Sequence, residues 1–279
     1  MASDLREMLD IPIGDWVEAG VEWVRSTLAG PLDGFATGVG FVADGLEDTL
    51  LFLPDFVLGP LLVALAWNRV GWRFGIFAAL ALFTVMGIGL WEETMQTLAL
   101  VIGASLIALA AGLPLGITMA RRDSVAMVVR PILDFMQTMP PFVYLIPAAI
   151  FFGLGKVPGT IATVIFAMPP AVRLTNLGIR QVSQENVEAG LAFGCTRRQL
   201  LYKVQVPLAM PSIMAGVNQT IMLALSMVVI ASMIGAGGLG NTVLTGIQRL
   251  DVGLGFEGGL GVVILAILLD RLTQSFGLR

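Results

Sequence analysis

The chain has 279 residues, of which 56% are hydrophobic and only 13% are charged, and its mean hydropathy is +0.87. This composition excludes an ordinary soluble globule and indicates an integral membrane protein. A single cysteine excludes an internal disulfide and a cysteine metal cluster, and the lack of histidine removes the commonest catalytic base and metal ligand. We therefore expect no metal site.

Residues 1–50 form an acidic segment with few basic residues. Apolar side chains recur at helical spacing between Trp16 and Leu28, opposite a charged face, which predicts an amphipathic helix. The segment is too polar to cross a bilayer, so we expect it to lie on the membrane surface or on the helical bundle. It lacks the pattern of a cleavable signal peptide.

The rest of the chain contains seven apolar runs that we interpret as membrane spans, since a crossing needs about 20 mostly apolar residues. They are Leu51–Trp67, Phe74–Leu90, Thr97–Ala120, Met136–Leu154, Gly159–Gly178, Ser212–Ile234 and Gly258–Leu272. Proline or paired glycine interrupts several of them, and such breaks are tolerated in lipid where neighbouring helices satisfy the freed backbone groups. The runs therefore predict an all-α polytopic bundle.

Basic residues concentrate in alternate connections between these runs. They lie in Asn68–Arg73, in Arg121–Arg130, in Arg180–Lys203 and at the C-terminal end, which carries Arg271 and Arg279. Because lysine and arginine are enriched in cytoplasmic loops, this alternation predicts an N-out, C-in topology. The acidic N-terminal segment and the loop from Ala236 to Glu257 are then outside.

A polar, basic island from Val187 to Pro211 lies between the fifth and sixth runs. Its first part favours a short helix that stops at Gly194, because glycine adopts the left-handed conformation without steric cost. A second helix is predicted to begin at Thr196, with Gln199 at capping-box spacing, and to end at Pro207. The arginines of the second helix suit either lipid headgroups or an acidic protein surface.

The island resembles the EAA loop of ABC importer permeases. The family pattern is Glu-Ala-Ala, three residues, Gly, nine residues, Ile, any residue and Leu-Pro, and this chain departs from it with Gly190, Val204 and Val206. The resemblance implies that residues 183–207 are the cytoplasmic loop that couples the permease to its ATPase. The residues implied in coupling are Glu188, Ala189, Gly190, Gly194, Arg197, Arg198, Val204 and Pro207.

Further segments resemble permeases for glycine betaine, proline betaine and choline. They are Asp134–Pro147, Ala209–Thr220, Ser226–Met233 and Ile267–Arg271. The resemblance implies a type I ABC importer transmembrane domain with a five-helix permease core in 92–279, preceded by two extra spans in 51–91.

It also implies the partners of such a permease. These are a second copy of the chain in a homodimer, two cytoplasmic ATPases that hold the ATP and Mg²⁺, an extracytoplasmic substrate-binding protein, and the lipid of a bacterial inner membrane. No nucleic-acid partner and no bound cofactor are expected. The implied role is osmoprotection by uptake of glycine betaine, choline, proline betaine or trimethylamine N-oxide, and the residues do not distinguish these substrates.

Polar residues inside the spans are candidates for the translocation path, because such residues usually face the bundle interior or a water-filled cavity. In the sixth run they are Asn218, Gln219 and Ser226; at the cytoplasmic end of the fourth they are Gln137 and Thr138. Hydrogen bonding between helices explains the first three equally well.

Gly235–Gly240 matches the dinucleotide pattern GxGxxG, but it follows a membrane helix instead of a strand, so a flexible extracellular turn is the better interpretation.

The alternative to an ATP-driven importer is an ATPase-independent secondary transporter or channel for a small cation. Such carriers place ionisable groups near the membrane midplane, where these runs have almost none. We expect no catalytic residue.

Overall fold

The computed structural model describes residues 13–277, which are helical apart from short connections. The acidic residues Asp4, Glu7 and Asp10 of the predicted N-terminal segment lie outside the described residues. The helices, in chain order, are α1 (Ile13–Thr27), α2 (Ala29–Phe52), α3 (Asp55–Val70), α4 (Trp72–Gly87), α5 (Trp91–Arg121), α6 (Asp123–Thr138), α7 (Pro141–Phe152), α8 (Lys156–Arg180), α9 (Gln184–Ala192), α10 (Arg197–Leu200), a π-helical turn (Leu201–Gln205), α11 (Val206–Ser232), α12 (Gly238–Arg249) and α13 (Val252–Gly277).

Helix α8 lies at the centre of the fold, packed between α5 and α11. Glycines make this close approach possible. A Cβ atom on Gly116 of α5 would lie 2.7 Å from the Thr175 Cβ, and one on Gly216 of α11 would lie 3.1 Å from the Leu174 Cβ. Small residues at helix interfaces let backbones approach closely in membranes, where lipid is as apolar as the side chains. The glycines therefore act as packing residues.

Within residues 13–277, four helices are long and apolar enough to cross a membrane. They are α5, α8, the continuous helix from Arg197 to Ser232, and α13. Two bent pairs, α2 with α3 and α6 with α7, also pass the test together, with bends of 105° and 103°. The shorter α4 is apolar as well. The all-helical membrane fold is confirmed, and seven spans, like the N-out, C-in orientation, stay a prediction.

The predicted fourth span, Met136–Leu154, contains a turn between the end of α6 and α7. The chain turns at Met139 and Pro140, where the backbone is extended, because proline disfavours a helical conformation in the residue before it. The Tyr144 hydroxyl donates a hydrogen bond back across the turn to the Met136 carbonyl. This contact fastens α7 to the end of α6.

The N-terminal region divides into two helices. Helix α1 lies within the predicted amphipathic segment, and Trp16 and Trp23 on it are exposed. Helix α2, in contrast, packs against α5, α7 and α8. The Lys156 ammonium at the start of α8 joins it through ion pairs of 2.9 Å to Asp44 and 2.7 Å to Glu47. Residues 29–52 are thus part of the bundle.

The predicted flexible turn at Gly235–Gly240 is wrong for its second half, because Gly238–Gly240 form the buried first turn of α12. The Gly238 amide donates to the Gln96 side-chain oxygen at 3.1 Å, and the Leu239 amide donates to the Thr97 hydroxyl at 2.8 Å. Side chains of α5 therefore cap the first amides of α12, which have no partner within their own helix. The expected loop from Ala236 to Glu257 is mostly helical, because α12 and the start of α13 occupy it.

Candidate functional site

Helix α9 ends in a glycine cap at the position the sequence predicted. Gly194 has φ +78°, and its amide donates to the Leu191 carbonyl at 2.9 Å. The Cys195 amide donates to the Gly190 carbonyl at 3.1 Å. These two bonds form a Schellman motif, which satisfies carbonyls that the helix end would leave unpaired. The chain direction after α9 is fixed by this cap.

Helix α10 begins with the predicted capping box. The Gln199 amide donates to the Thr196 hydroxyl at 3.3 Å, and the Thr196 amide donates to the Gln199 side-chain oxygen at 2.8 Å. Two reciprocal bonds satisfy backbone donors at the helix start. The turn between α9 and α10 is therefore held from both sides, by a C-cap and an N-cap.

The prediction that Pro207 ends this second helix is wrong. The backbone runs from α10 through the π-helical turn into α11, and Pro207 lies in the first turn of α11. Within a continuous helix, proline removes one backbone donor and its ring needs space in the preceding turn. The wider π turn before it, with the Val206 amide bonded to the Leu201 carbonyl, makes room for the ring. The island is thus rigidly continuous with a membrane-spanning helix.

Gly190 is the buried residue of α9 and faces the second helix. A Cβ atom there would lie 2.8 Å from a terminal methyl carbon of Leu200 and 3.5 Å from a methyl carbon of Val204. The first contact is with the flexible end of a side chain, so alanine would fit after a small shift of Leu200. This explains physically how the chain departs from the Glu-Ala-Ala pattern without losing the packing of α9 on the π turn.

The outer face of the island is open. Most of the predicted coupling residues are exposed on it, namely Glu188, Ala189, Gly194, Arg197, Arg198 and Pro207, while Val204 is half-buried. Glu188 accepts a hydrogen bond from the Gln184 side chain at 2.9 Å. The sequence analysis missed Phe193, whose side chain is 90% exposed, and Leu191 and Tyr202, which are about half exposed. A phenylalanine directly before a helix-stop glycine in a polar loop is the signal that could have identified this apolar patch.

Arg180 anchors the base of the island to the helical bundle. Its guanidinium donates to the Met119 carbonyl at 2.7 Å, to Asp123 at 2.6 Å and to the Asn176 side chain at 3.0 Å. A cavity of about 400 Å³ separates this end of α8 from the island, and Arg121 and Arg197 also line it. Arg180 therefore joins the last turn of α8 to the ends of α5 and α6.

Asn218 lies in a contact between helices. Its side-chain amide donates to the Asp270 carboxylate at 2.8 Å, and Gln274 donates to the same carboxylate oxygen at 2.8 Å. This network joins α11 to α13. The structure thus favours the helix–helix interpretation of Asn218, although its amide oxygen is buried without a hydrogen-bond partner among the described residues.

The other path candidates are exposed side chains in different parts of the bundle. Gln219 and Ser226 lie on α11, and the Ser226 hydroxyl bonds to its own helix at the Met222 carbonyl. Gln137 and Thr138 lie at the end of α6. Among the described residues, no hydrogen bond brings these four side chains together. Their role in translocation stays a prediction.

Asp134 and Arg173 form an ion pair of 2.5 Å between α6 and α8. The side chains are 65% and 40% exposed, so the pair is worth little on its own. It links α6 to α8 at the surface of the bundle. Within residues 13–277, no group of three or more acidic or cysteine side chains is placed to bind a metal ion.

The chain resembles known transport proteins along almost its full length. A family model described as a binding-protein-dependent transport system inner membrane component matches residues 112–277. The glycine betaine/proline betaine transport system permease protein ProW of Escherichia coli is 51% identical over 267 residues, which cover 96% of this chain and 75% of ProW. The glycine betaine transport system permease protein OpuAB of Bacillus subtilis is 46% identical over 269 residues, covering 96% of this chain and 95% of OpuAB.

The fold is similar to that of a solved transporter. An inward-facing structure of the MetNI methionine ABC transporter superposes with a TM-score of 0.60 at 19% identity, covering 65% of this chain and 91% of the solved one. At that identity the likeness shows the fold alone. It agrees with a type I importer transmembrane domain.

Proposed function

The chain belongs to the family of binding-protein-dependent transport system inner membrane components, and from that premise we propose that its cargo is glycine betaine or a closely related methylated amine. It is a multi-pass inner-membrane permease subunit of an ABC importer. The observation that carries the proposal is the high identity to ProW and OpuAB over 96% of the chain. Choline, proline betaine and trimethylamine N-oxide remain substrates to be tested. The alternative of an ATPase-independent transporter or channel is not supported, because the family is defined by binding-protein-dependent transport.

The proposed assembly contains two copies of this chain, two cytoplasmic ATPases and an external substrate-binding protein. ATP and Mg²⁺ belong to the ATPase subunits, and this chain contributes no catalytic residue. The exposed face formed by Glu188, Phe193, Arg197 and Arg198 is the proposed ATPase contact. Apolar anchors surrounded by polar and charged residues are typical of protein interfaces. The N-out, C-in orientation, which is part of the proposal, puts this face in the cytoplasm.

The coupling is mechanical. When the ATPases close on ATP, they displace α9 and α10, and the capped turn at Gly194 transmits the movement without unfolding. The π-helical turn continues directly into α11, and Arg180 ties the same region to α5 and α6. A movement of α9 and α10 is therefore transmitted to the spanning helices, because the connection between them is rigid.

The substrate is identified by ATP hydrolysis of the purified complex in lipid with its binding protein. Glycine betaine, choline, proline betaine and trimethylamine N-oxide are titrated separately. The proposal predicts that at least one of them stimulates hydrolysis at saturating binding protein. Equal basal rates with all four would overturn the proposed substrate class, provided that ATP hydrolysis itself is intact.

A further inference from the structure

Two arginines from distant parts of the sequence line one surface pocket. Arg73 lies in the first turn of α4, directly after the turn at Gly71, and Arg271 lies in the last two turns of α13. Both line a pocket of about 560 Å³, together with Trp72, Phe74 and Phe77. The pocket is far in sequence from the island and shares no residue with it.

The pocket carries an uncompensated positive charge. Within residues 13–277, neither Arg73 nor Arg271 has a carboxylate within ion-pair distance, and none of the lining side chains is acidic. The neighbouring Asp270 carboxylate accepts hydrogen bonds at one oxygen from Asn218 and Gln274, and it forms no ion pair with either arginine among the described residues. An anion is therefore the complementary ligand, and guanidinium groups match phosphate oxygens particularly well.

The remaining surface of the pocket is aromatic and apolar. The Arg73 guanidinium lies 5.4 Å from the centroid of the Trp72 ring, and the Phe74 and Phe77 rings stack at 5.7 Å. Trp72 is 56% exposed. Tryptophan and arginine together are typical of the depth of lipid headgroups, where one side of the residue meets water and the other hydrocarbon.

An apolar stripe continues from the pocket along α4. Arg73, Phe77 and Leu80 follow one another at spacings of four and three residues, so they share one face of the helix. The Leu80 side chain is 64% exposed. A ligand with an anionic head at Arg73 and Arg271 and an apolar chain along this stripe would be matched at both ends.

We propose that this pocket, between the α3–α4 turn and the end of α13, binds the phosphate headgroup of an anionic phospholipid. Basic pockets between spanning helices on the cytoplasmic side are suited to such headgroups, and the predicted orientation puts the pocket there. A free phosphate ion would use the two arginines but not the apolar stripe. The assignment depends on the pocket alone and stands whichever amine is transported.

The test is native mass spectrometry of the purified full complex, titrated with phosphatidylglycerol, phosphatidylcholine or inorganic phosphate. We expect retention of phosphatidylglycerol over phosphatidylcholine. The double variant R73Q/R271Q should bind phosphatidylglycerol about 30-fold more weakly, since each arginine near an anionic surface contributes about fivefold. Phosphatidylcholine binding should not change. The variant R73K/R271K, which keeps the charge, should retain most of the preference and shows that loss in the first variant is not misfolding.

The matched control is R122Q/R130Q, which removes two exposed arginines elsewhere on the same predicted side. It should leave phosphatidylglycerol binding at the wild-type level. Equal loss in this control, wild-type binding by R73Q/R271Q, or no preference over phosphatidylcholine would each overturn the site. Millimolar inorganic phosphate that displaces phosphatidylglycerol would identify a free anion as the ligand and overturn the lipid assignment.

Discussion

The Gly194 cap offers a sharp test of mechanical coupling through the island. In Gly194→Ala, a Cβ atom would meet nothing within 4 Å, so steric overlap with neighbours contributes nothing to the effect. The cost comes from φ +78°, where a side chain raises the energy by about 1–2 kcal/mol. The equilibrium between capped and frayed turn then shifts by about 5- to 30-fold against the capped form.

The assay compares substrate-stimulated ATP hydrolysis with the basal rate in reconstituted complex. We expect stimulation to fall markedly in Gly194→Ala while the permease stays inserted and the complex stays assembled. Gly89→Ala is the matched control, because Gly89 has φ +73° and equally open surroundings. It lies between α4 and α5 and ends α4 with the same pair of cap bonds, from the Gly89 amide to the Met86 carbonyl and from the Leu90 amide to the Val85 carbonyl. Wild-type stimulation in Gly194→Ala, or an equal loss in Gly89→Ala, would refute the reasoning.

Three further predictions concern packing and contact. Charge reversal at the exposed Arg197 and Arg198 should release the ATPase subunits on purification without affecting insertion, because repulsion replaces attraction at the interface. The control Arg249→Glu, on the predicted external side, should leave the ATPase subunits bound. Gly116→Ala should lower the free energy of unfolding of the permease by about 1–3 kcal/mol, because the added atom lies 2.7 Å from Thr175. The control Gly45→Ala, in an open helical position, should leave it unchanged. Asn218→Ala should lower the melting temperature by removing the bond to Asp270 and leave the half-saturating substrate concentration unchanged; the opposite pattern would put Asn218 in the path.

Local rules predicted the local features of the island correctly. A glycine stop at Gly194 and a capping box at Thr196 and Gln199 depend on residues within a few positions, and both are present. The rule that proline ends a helix failed at Pro207. The sequence contains no clear signal for the π turn that precedes this proline.

Tertiary packing decided the remaining differences. The hydropathy of Met136–Leu154 predicted one span, because an average over apolar residues carries no information about the turn at Pro140. The hydrogen bond from Tyr144 then stabilises that turn. The glycines before α12 resembled a flexible turn because their partners, Gln96 and Thr97, lie about 140 residues earlier in the chain. The pocket at Arg73 and Arg271 was equally invisible, since only the folded bundle brings these two arginines together.

ATP-dependent uptake into proteoliposomes tests the central claim most directly. The complex of this permease with its ATPase and binding protein is reconstituted, and entry of labelled glycine betaine is followed with ATP or with an imposed proton or sodium gradient. The predicted result is uptake that requires ATP and that falls markedly when Gly194 is replaced by alanine, but not when Gly89 is. Uptake driven by an ion gradient through the permease alone would contradict the account.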